Sequence, residues 1–241
     1  MQKEKTSGGL FFLGLFLCLG LIISGWLLSR AVYSIKAADR YVTVKGLAER
    51  EVDADLVIWP VSFTETGNDL AELHERINSK QQAIQLFLTE SGITQGEIST
   101  NPPVVTDFEA RKFDSGNRKR EYRYLTQTTL TVRSTDLALV RSIMGRSSEL
   151  VKQGIVLASD DYQNQPEYLY IGLNSIKPAM IEKATKNARL AAEQFARDSE
   201  SRVGSIRNAR QGLFTITDRD RNTPYRKIVR VVTTVDYFLL N

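Results

Sequence analysis

The chain has 241 residues, 42% of them hydrophobic and 25% charged, with 32 Lys and Arg against 28 Asp and Glu. A formal net charge of +4 in a well-mixed sequence excludes a polyelectrolyte tail and gives no global drive toward nucleic acid. The sole cysteine, Cys18, sits in an uncharged stretch, so the rest of the chain has no internal disulfide, thiolate metal ligand or cysteine nucleophile.

Residues 1–7 read as a short cytoplasmic tail. Gly8 to Ser29 (GGLFFLGLFLCLGLIISGWLLS) holds 22 consecutive uncharged residues. A helix of that length rises ~33 Å, enough to cross a hydrocarbon core of ~30 Å. The alternative is a secretory signal, whose apolar region is ordinarily ~7–15 residues long. The one passable cleavage point here follows Ala31, with Ser29 three positions before the cut. A lipoprotein signal needs a small residue before Cys18, and Leu17 stands there. Lys3 and Lys5 precede the run while Arg30, Lys36 and Arg40 follow it, so charge alone does not orient the segment. Gly14, Cys18 and Gly25 share one side of the helix, a possible small-residue packing face.

Residues 30–40 read as a polar linker. Tyr41–Lys45 alternates as a strand, Gly46 marks a bulge, and Glu51–Asp55 makes a charged turn. Leu56–Phe63 is a second strand, placed at an edge or bulged by Pro60. Asn68 or Asp69 caps a helix to about Ser91, with Leu70, Leu73, Ile77, Ile84, Phe87 and Leu88 as its apolar stripe and Gly92 as its stop. Ile98–Phe108 and Tyr122–Arg133 pair across a hairpin, the latter with Tyr122, Tyr124, Thr126, Thr128, Leu130 and Val132 on one face. Its tip carries Arg111, Lys112, Arg118, Lys119 and Arg120, offset by nearby acids.

Ser134 or Thr135 caps a helix to about Ser148, followed by strands at Ile155–Ser159 and Glu167–Gly172. The longest helix of the body runs from Ser175 to about Ser201, with Pro178 in its first turn. Its stripe is Ile176, Met180, Ala184, Ala188, Ala191 and Phe195. Ser205–Gln211 and Lys227–Leu240 are closing strands; both faces of the last are apolar enough to be covered. The fold class is therefore α+β: mostly antiparallel sheets with three helices packed on them, after one transmembrane helix. Residues 41–241 form one domain or two related lobes, a strand–helix–strand unit recurring with similar exits at Gly92-Ile93 and Val203-Gly204.

Three segments, YVTVKGLAEREVDADLVIWPVSF (41–63), IEKATKNARLAAEQFARDSESRVGSI (181–206) and RVVTTVDYFLL (230–240), together resemble the SIMPL-domain family of bacterial envelope proteins. The family ordinarily has a Pro-Asp pair before the second strand, where this chain has Ala54-Asp55. The resemblance implies an α+β fold, an envelope or periplasmic location, self-association and a link to stress protection. It implies no enzymatic activity and no catalytic residue. It also supports an orientation with the N-terminus in the cytoplasm and residues 30–241 outside the inner membrane.

Candidate sites are few. His74 is the only histidine, read as partly buried and structural. No GxSxG, HExxH or phosphate-loop sequence occurs, so no catalytic, cofactor or metal site is assigned and no cofactor is expected. Acid pairs at Asp53/Asp55, Asp160/Asp161 and Asp218/Asp220 fall in turns, where solvated aspartate is ordinary. Paired carboxylates leave a hydrolase as one alternative, and Asp160, Asp161 and Asn164 are a conceivable hard-cation set. The stretch holding Arg207, Arg210, Arg219, Arg221, Arg226, Lys227 and Arg230 is a candidate contact for anionic lipid or an envelope component. The reading is a single-pass inner-membrane protein with a non-enzymatic, self-associating periplasmic body tied to envelope or oxidative stress. Nucleic acid is not an expected partner.

Overall fold

The structure is a computed structural model that describes residues 6–38, 40–110, 121–158 and 164–240. Helix α1 spans Thr6–Ala38, 33 residues. Within it Leu13–Arg30 has a mean hydropathy of 1.8, and none of its residues is buried among the described residues. By length and composition this helix can cross a membrane. The helix does not stop at Ser29: residues 30–38, read as a linker, continue it.

The remaining elements are β1 (Tyr41–Asp53), β2 (Leu56–Gly67), α2 (Leu70–Glu90), β3 (Ile98–Thr100), β4 (Val104–Asp107) and β5 (Tyr124–Ser134). They are followed by α3 (Leu137–Gly145), α4 (Ser148–Lys152), β6 (Glu167–Leu169), α5 (Leu173–Asp198), β7 (Arg202–Gln211), β8 (Thr215–Asp218) and β9 (Arg226–Leu240). The expected α+β class with antiparallel sheets holds: β2–β5, β2–β6, β3–β5, β4–β5 and β7–β9 are all antiparallel. The chain divides into two compact units.

One unit comprises Arg50–Lys177 and Thr215–Val229. Its sheet has the order β3-β5-β2-β6, with β4 also on β5. Alternation sends Val57, Trp59, Val61 and Phe63 of β2, with Leu130 and Val132 of β5, into a core that Leu73, Ile77, Ile84, Phe87 and Leu88 of α2 close. Each such side chain contributes about 1.5–3 kcal/mol on full burial, so this face sets the register. The Asp69 carboxylate caps α2, accepting the amides of Ala71 at 2.8 Å and Glu72 at 3.0 Å. Gly92, at φ +106°, follows its end. Pro60 is tolerated in an interior strand because β6 flanks only Leu56–Ile58 and the next contact on that side is the bridge of Phe63 with Leu157.

The other unit comprises Met1–Glu49, Pro178–Phe214 and Arg230–Asn241. β9 lies between β1 and β7 in its sheet. Val44, Val235 and Tyr237 from that sheet meet Ala188 and Ala192 of α5 in a small core. The buried stripe of α5 is Ile176, Met180, Ala184, Ala188, Ala192 and Ala196, an unbroken spacing of four. This corrects the expected end of the stripe: Ala192 and Ala196 are buried, Ala191 only partly, and Phe195 is 58% exposed. Alanine along one i±4 ridge lets the helix backbone settle close to the sheet.

Several boundaries differ from the sequence reading. β1 continues through Asp53, because Glu49, Glu51 and Asp53 find arginine partners that hold the charged segment in strand form. The Ile98–Phe108 strand is broken at Asn101–Pro103, where proline removes ladder donors. The helix after β5 is two short ones, and its cap is Asp136, which accepts the Leu139 amide at 2.9 Å; Ser134 instead accepts the Asp136 amide. Of the expected strand Ile155–Ser159, the described residues 155–158 form the single bridge at Leu157, and Ser159 lies outside the described residues. Pro178 lies in the second turn of α5, since the helix begins at Leu173. β8 arises between the expected strands Ser205–Gln211 and Lys227–Leu240, where no element was expected.

Candidate functional site

The seven basic residues of the 207–230 stretch are divided between the two units. Arg219, Arg221, Arg226 and Lys227 belong to the first unit described, and Arg207, Arg210 and Arg230 to the second. Arg219 bonds Glu51 at 2.8 Å and Asp220 at 2.9 Å. Arg226 reaches Asp53 at 3.0 Å, Lys227 is buried and pairs with Asp218, and Arg230 lies 3.6 Å from Glu49. Arg207 stacks over Tyr41, 4.1 Å from the ring centroid. Strand alternation on β1 puts the acids of residues 49, 51 and 53 on one side, and that spacing of two lets them pair with Arg230, Arg219 and Arg226. Arg210 and Arg221 make no ion pair among the described residues.

The acid pairs are engaged as well. Asp53 takes Arg226, while Asp55 accepts the backbone amides of Ile171 at 2.6 Å and Gly172 at 2.7 Å, immediately before α5. Asp220 closes a turn by accepting the Asn222 and Thr223 amides. The Thr223 hydroxyl and the Arg219 guanidinium hold its carboxyl down at about 2. Each of these carboxylates is already engaged as a hydrogen-bond or ion-pair acceptor. Asp160 and Asp161 lie outside the described residues, as do Arg111, Lys112, Arg118, Lys119 and Arg120. Among the described residues no group of three His, Cys, Asp or Glu gathers in ligand geometry.

His74 is exposed, where partial burial was expected. Its Nε2 shares a 3.0 Å hydrogen bond with the Asn78 side chain one turn on. It borders a feature that the sequence did not reveal, an open cavity of about 500 Å³. One wall is the start of α2, with Leu70, Ala71, Leu73, His74 and Ile77; the other is Pro103 with Val105 of β4; Thr126 of β5 completes the lining. The register puts Val105 opposite Thr126, while the break at Asn101–Pro103 ends β3 at Thr100. Leu70 and Val105 consequently stay 49% and 48% exposed, although both belong to apolar patterns. Thr126 is 1% exposed, and its hydroxyl has no hydrogen-bond partner among the described residues. The one hint in the sequence was an apolar stripe on α2 that starts a turn before the sheet can cover it.

No ionised side chain lines this cavity. Its chemistry is that of an apolar slot with one buried hydroxyl and an imidazole. That suits binding; it lacks the nucleophile–base geometry of acyl transfer and the cationic donors of phosphoryl transfer.

The SIMPL family model, described as a protein of unknown function (DUF541), matches residues 42–230. No curated protein matches the chain. The family match covers more than half of the sequence and takes in β1, β2, the Ala-rich helix α5 and β7. The chain belongs to the SIMPL family.

Proposed function

We propose that this chain is a non-enzymatic envelope protein. In this reading α1 anchors it in the inner membrane, residues 30–241 lie in the periplasm, and the body self-associates to support the envelope under stress. The observation that carries the reading is α1, whose Leu13–Arg30 window finds no cover in the chain. Leaving that much contiguous apolar surface in water is strongly unfavourable, whereas a bilayer accepts it without any partner. The unpaired outer edges of β1 and β7, with Ile206 and Leu240 exposed nearby, supply surfaces on which copies can meet.

The single native cysteine makes topology directly readable. In a Cys18→Ser chain carrying Ser99→Cys, a membrane-impermeant maleimide labels spheroplasts without lysis, and the protein stays with membranes through alkaline washing. Labelling that requires lysis overturns the orientation. Release as a shortened soluble protein overturns the anchor in favour of a cleaved signal.

A second reading, contact with anionic lipid headgroups, rests on Arg210 and Arg221, both exposed. Anionic liposomes co-sediment less of the Arg210→Glu/Arg221→Glu chain than of the wild type if that reading holds, and equal amounts if it does not.

A further inference from the structure

We propose that Trp26 and Arg30 of α1 form a binding site for the phosphate of an anionic phospholipid, at the membrane face from which the body emerges. The inference rests on the reading of α1 as an uncleaved anchor. Two observations meet there. The first is geometry: the Arg30 guanidinium carbon lies over the Trp26 ring, 5.1 Å from its centroid, and both residues are exposed. Residues four apart share one side of a helix, and side chains lean toward the helix N-terminus, so Arg30 reaches back one turn to the level of the indole. The second is charge: α1 contains no Asp or Glu from Thr6 to Ala38, so the helix itself offers Arg30 no counter-ion.

The place of the pair along α1 says which molecule supplies the anion. Arg30 closes the uncharged run Gly8–Ser29. A guanidinium deep in hydrocarbon is unfavourable, whereas indole and guanidinium both favour the headgroup layer. A hydrocarbon core takes about 20 helical residues. Counted back from Trp26, that length ends at Thr6, where α1 begins, just after Lys5. Both ends of the apolar segment thus reach a headgroup layer with a cation beside it. Trp26 then marks the boundary, and α1 continues to Ala38, about 18 Å beyond the hydrocarbon. With one face against the indole, the guanidinium keeps its edge N–H groups to donate to phosphate oxygens. A free phosphate ion lacks the acyl chains that cover the exposed Ile22, Ile23 and Leu27, so the lipid is the ligand that matches both parts of the site.

The test reads Trp26 fluorescence of the full chain, extracted from membranes and reconstituted in vesicles of phosphatidylcholine and phosphatidylglycerol, with bromine on the acyl chains of one lipid at a time. Trp59 is the only other tryptophan. Trp59→Phe removes its signal, and subtracting the signal of a Trp26→Phe chain does so without touching the core. Quenching is expected to be strongest from bromines near the ester groups. At matched mole fractions, phosphatidylglycerol is expected to be favoured about fivefold over phosphatidylcholine beside Trp26, a preference that Arg30→Gln abolishes. Lys36→Gln removes a charge from the same part of the chain and is expected to keep most of the preference. The intact mass of the extracted chain is measured first: loss of residues 1–31 overturns the anchor reading and the site together. In a chain that is whole, quenching strongest from bromines at the acyl-chain ends overturns the site and leaves the anchor standing. A preference undiminished in Arg30→Gln, or lost equally in Lys36→Gln, overturns Arg30 as the phosphate ligand.

Discussion

Gly46 of β1 and Ala184 of α5 approach so closely that a β-carbon on Gly46 would lie 1.8 Å from the Ala184 carbonyl oxygen and 2.4 Å from the Ala188 nitrogen. Both obstacles are backbone, so no rotamer change relieves them. The position read from sequence as a bulge is instead where a helix rests directly on a strand, and alanine on the helix side completes the fit. Gly46→Ala should therefore destabilise the protein by about 3 kcal/mol or more, since helix and strand must part. Gly96→Ala, with open space around it, is the control and should be near neutral. Denaturant unfolding of the two variants checks the pair.

Asp55 holds the start of α5 by accepting two backbone amides, from Ile171 and Gly172. Asparagine has only one acceptor oxygen, so Asp55→Asn leaves one amide poorly satisfied and removes the negative charge near the helix start. A loss of about 1–3 kcal/mol is expected. Faster hydrogen exchange at Ile171 and Gly172 localises the effect, and exchange unchanged there would show that the contact does not matter.

The Asp220 turn makes a pH prediction with a definite sign. Its carboxyl is held down to about 2 in the folded chain, below the usual carboxylate range, because Thr223 and Arg219 bond the ionised form. A depressed carboxylate contributes stability that is present above the unfolded value and disappears as pH falls through the folded one. Protection of the Asn222 and Thr223 amides should thus hold at neutral pH and decline between about 4 and 2. In Asp220→Asn that acid-linked decline should vanish.

Thr126→Val should stabilise the protein by about 1 kcal/mol, because it removes a buried hydroxyl that has no partner among the described residues while keeping the branched shape. A thermal unfolding midpoint that drops in this variant would mean that the hydroxyl is satisfied in solution.

Periodicity gave the elements wherever burial on one face dictates pattern. β2, β5, α2 and α5 all stand close to their expected places, because Val57, Leu73, Leu130 and Ala184 have no alternative to the core. What periodicity could not show was long-range partnership. Glu51 and Asp53 read as part of a charged turn, because spacing along the chain does not show the arginines that strand pairing places beside them. Ala192 displaced Ala191 and Phe195 from the α5 stripe because the helix meets the sheet along one unbroken row of four-residue steps. The cavity was hidden for a related reason. Whether Leu70 is covered depends on where β3 ends and β4 begins, which Asn101–Pro103 decides from some thirty residues away along the chain.

The proposed function rests on an anchored body that assembles with its own copies. The most direct measurement is the protein mass of the full chain in detergent, by light scattering corrected for bound detergent, across a wide dilution series. Self-association gives a discrete multiple of 27.2 kDa that persists on dilution. A mass of 27.2 kDa at every concentration would contradict it.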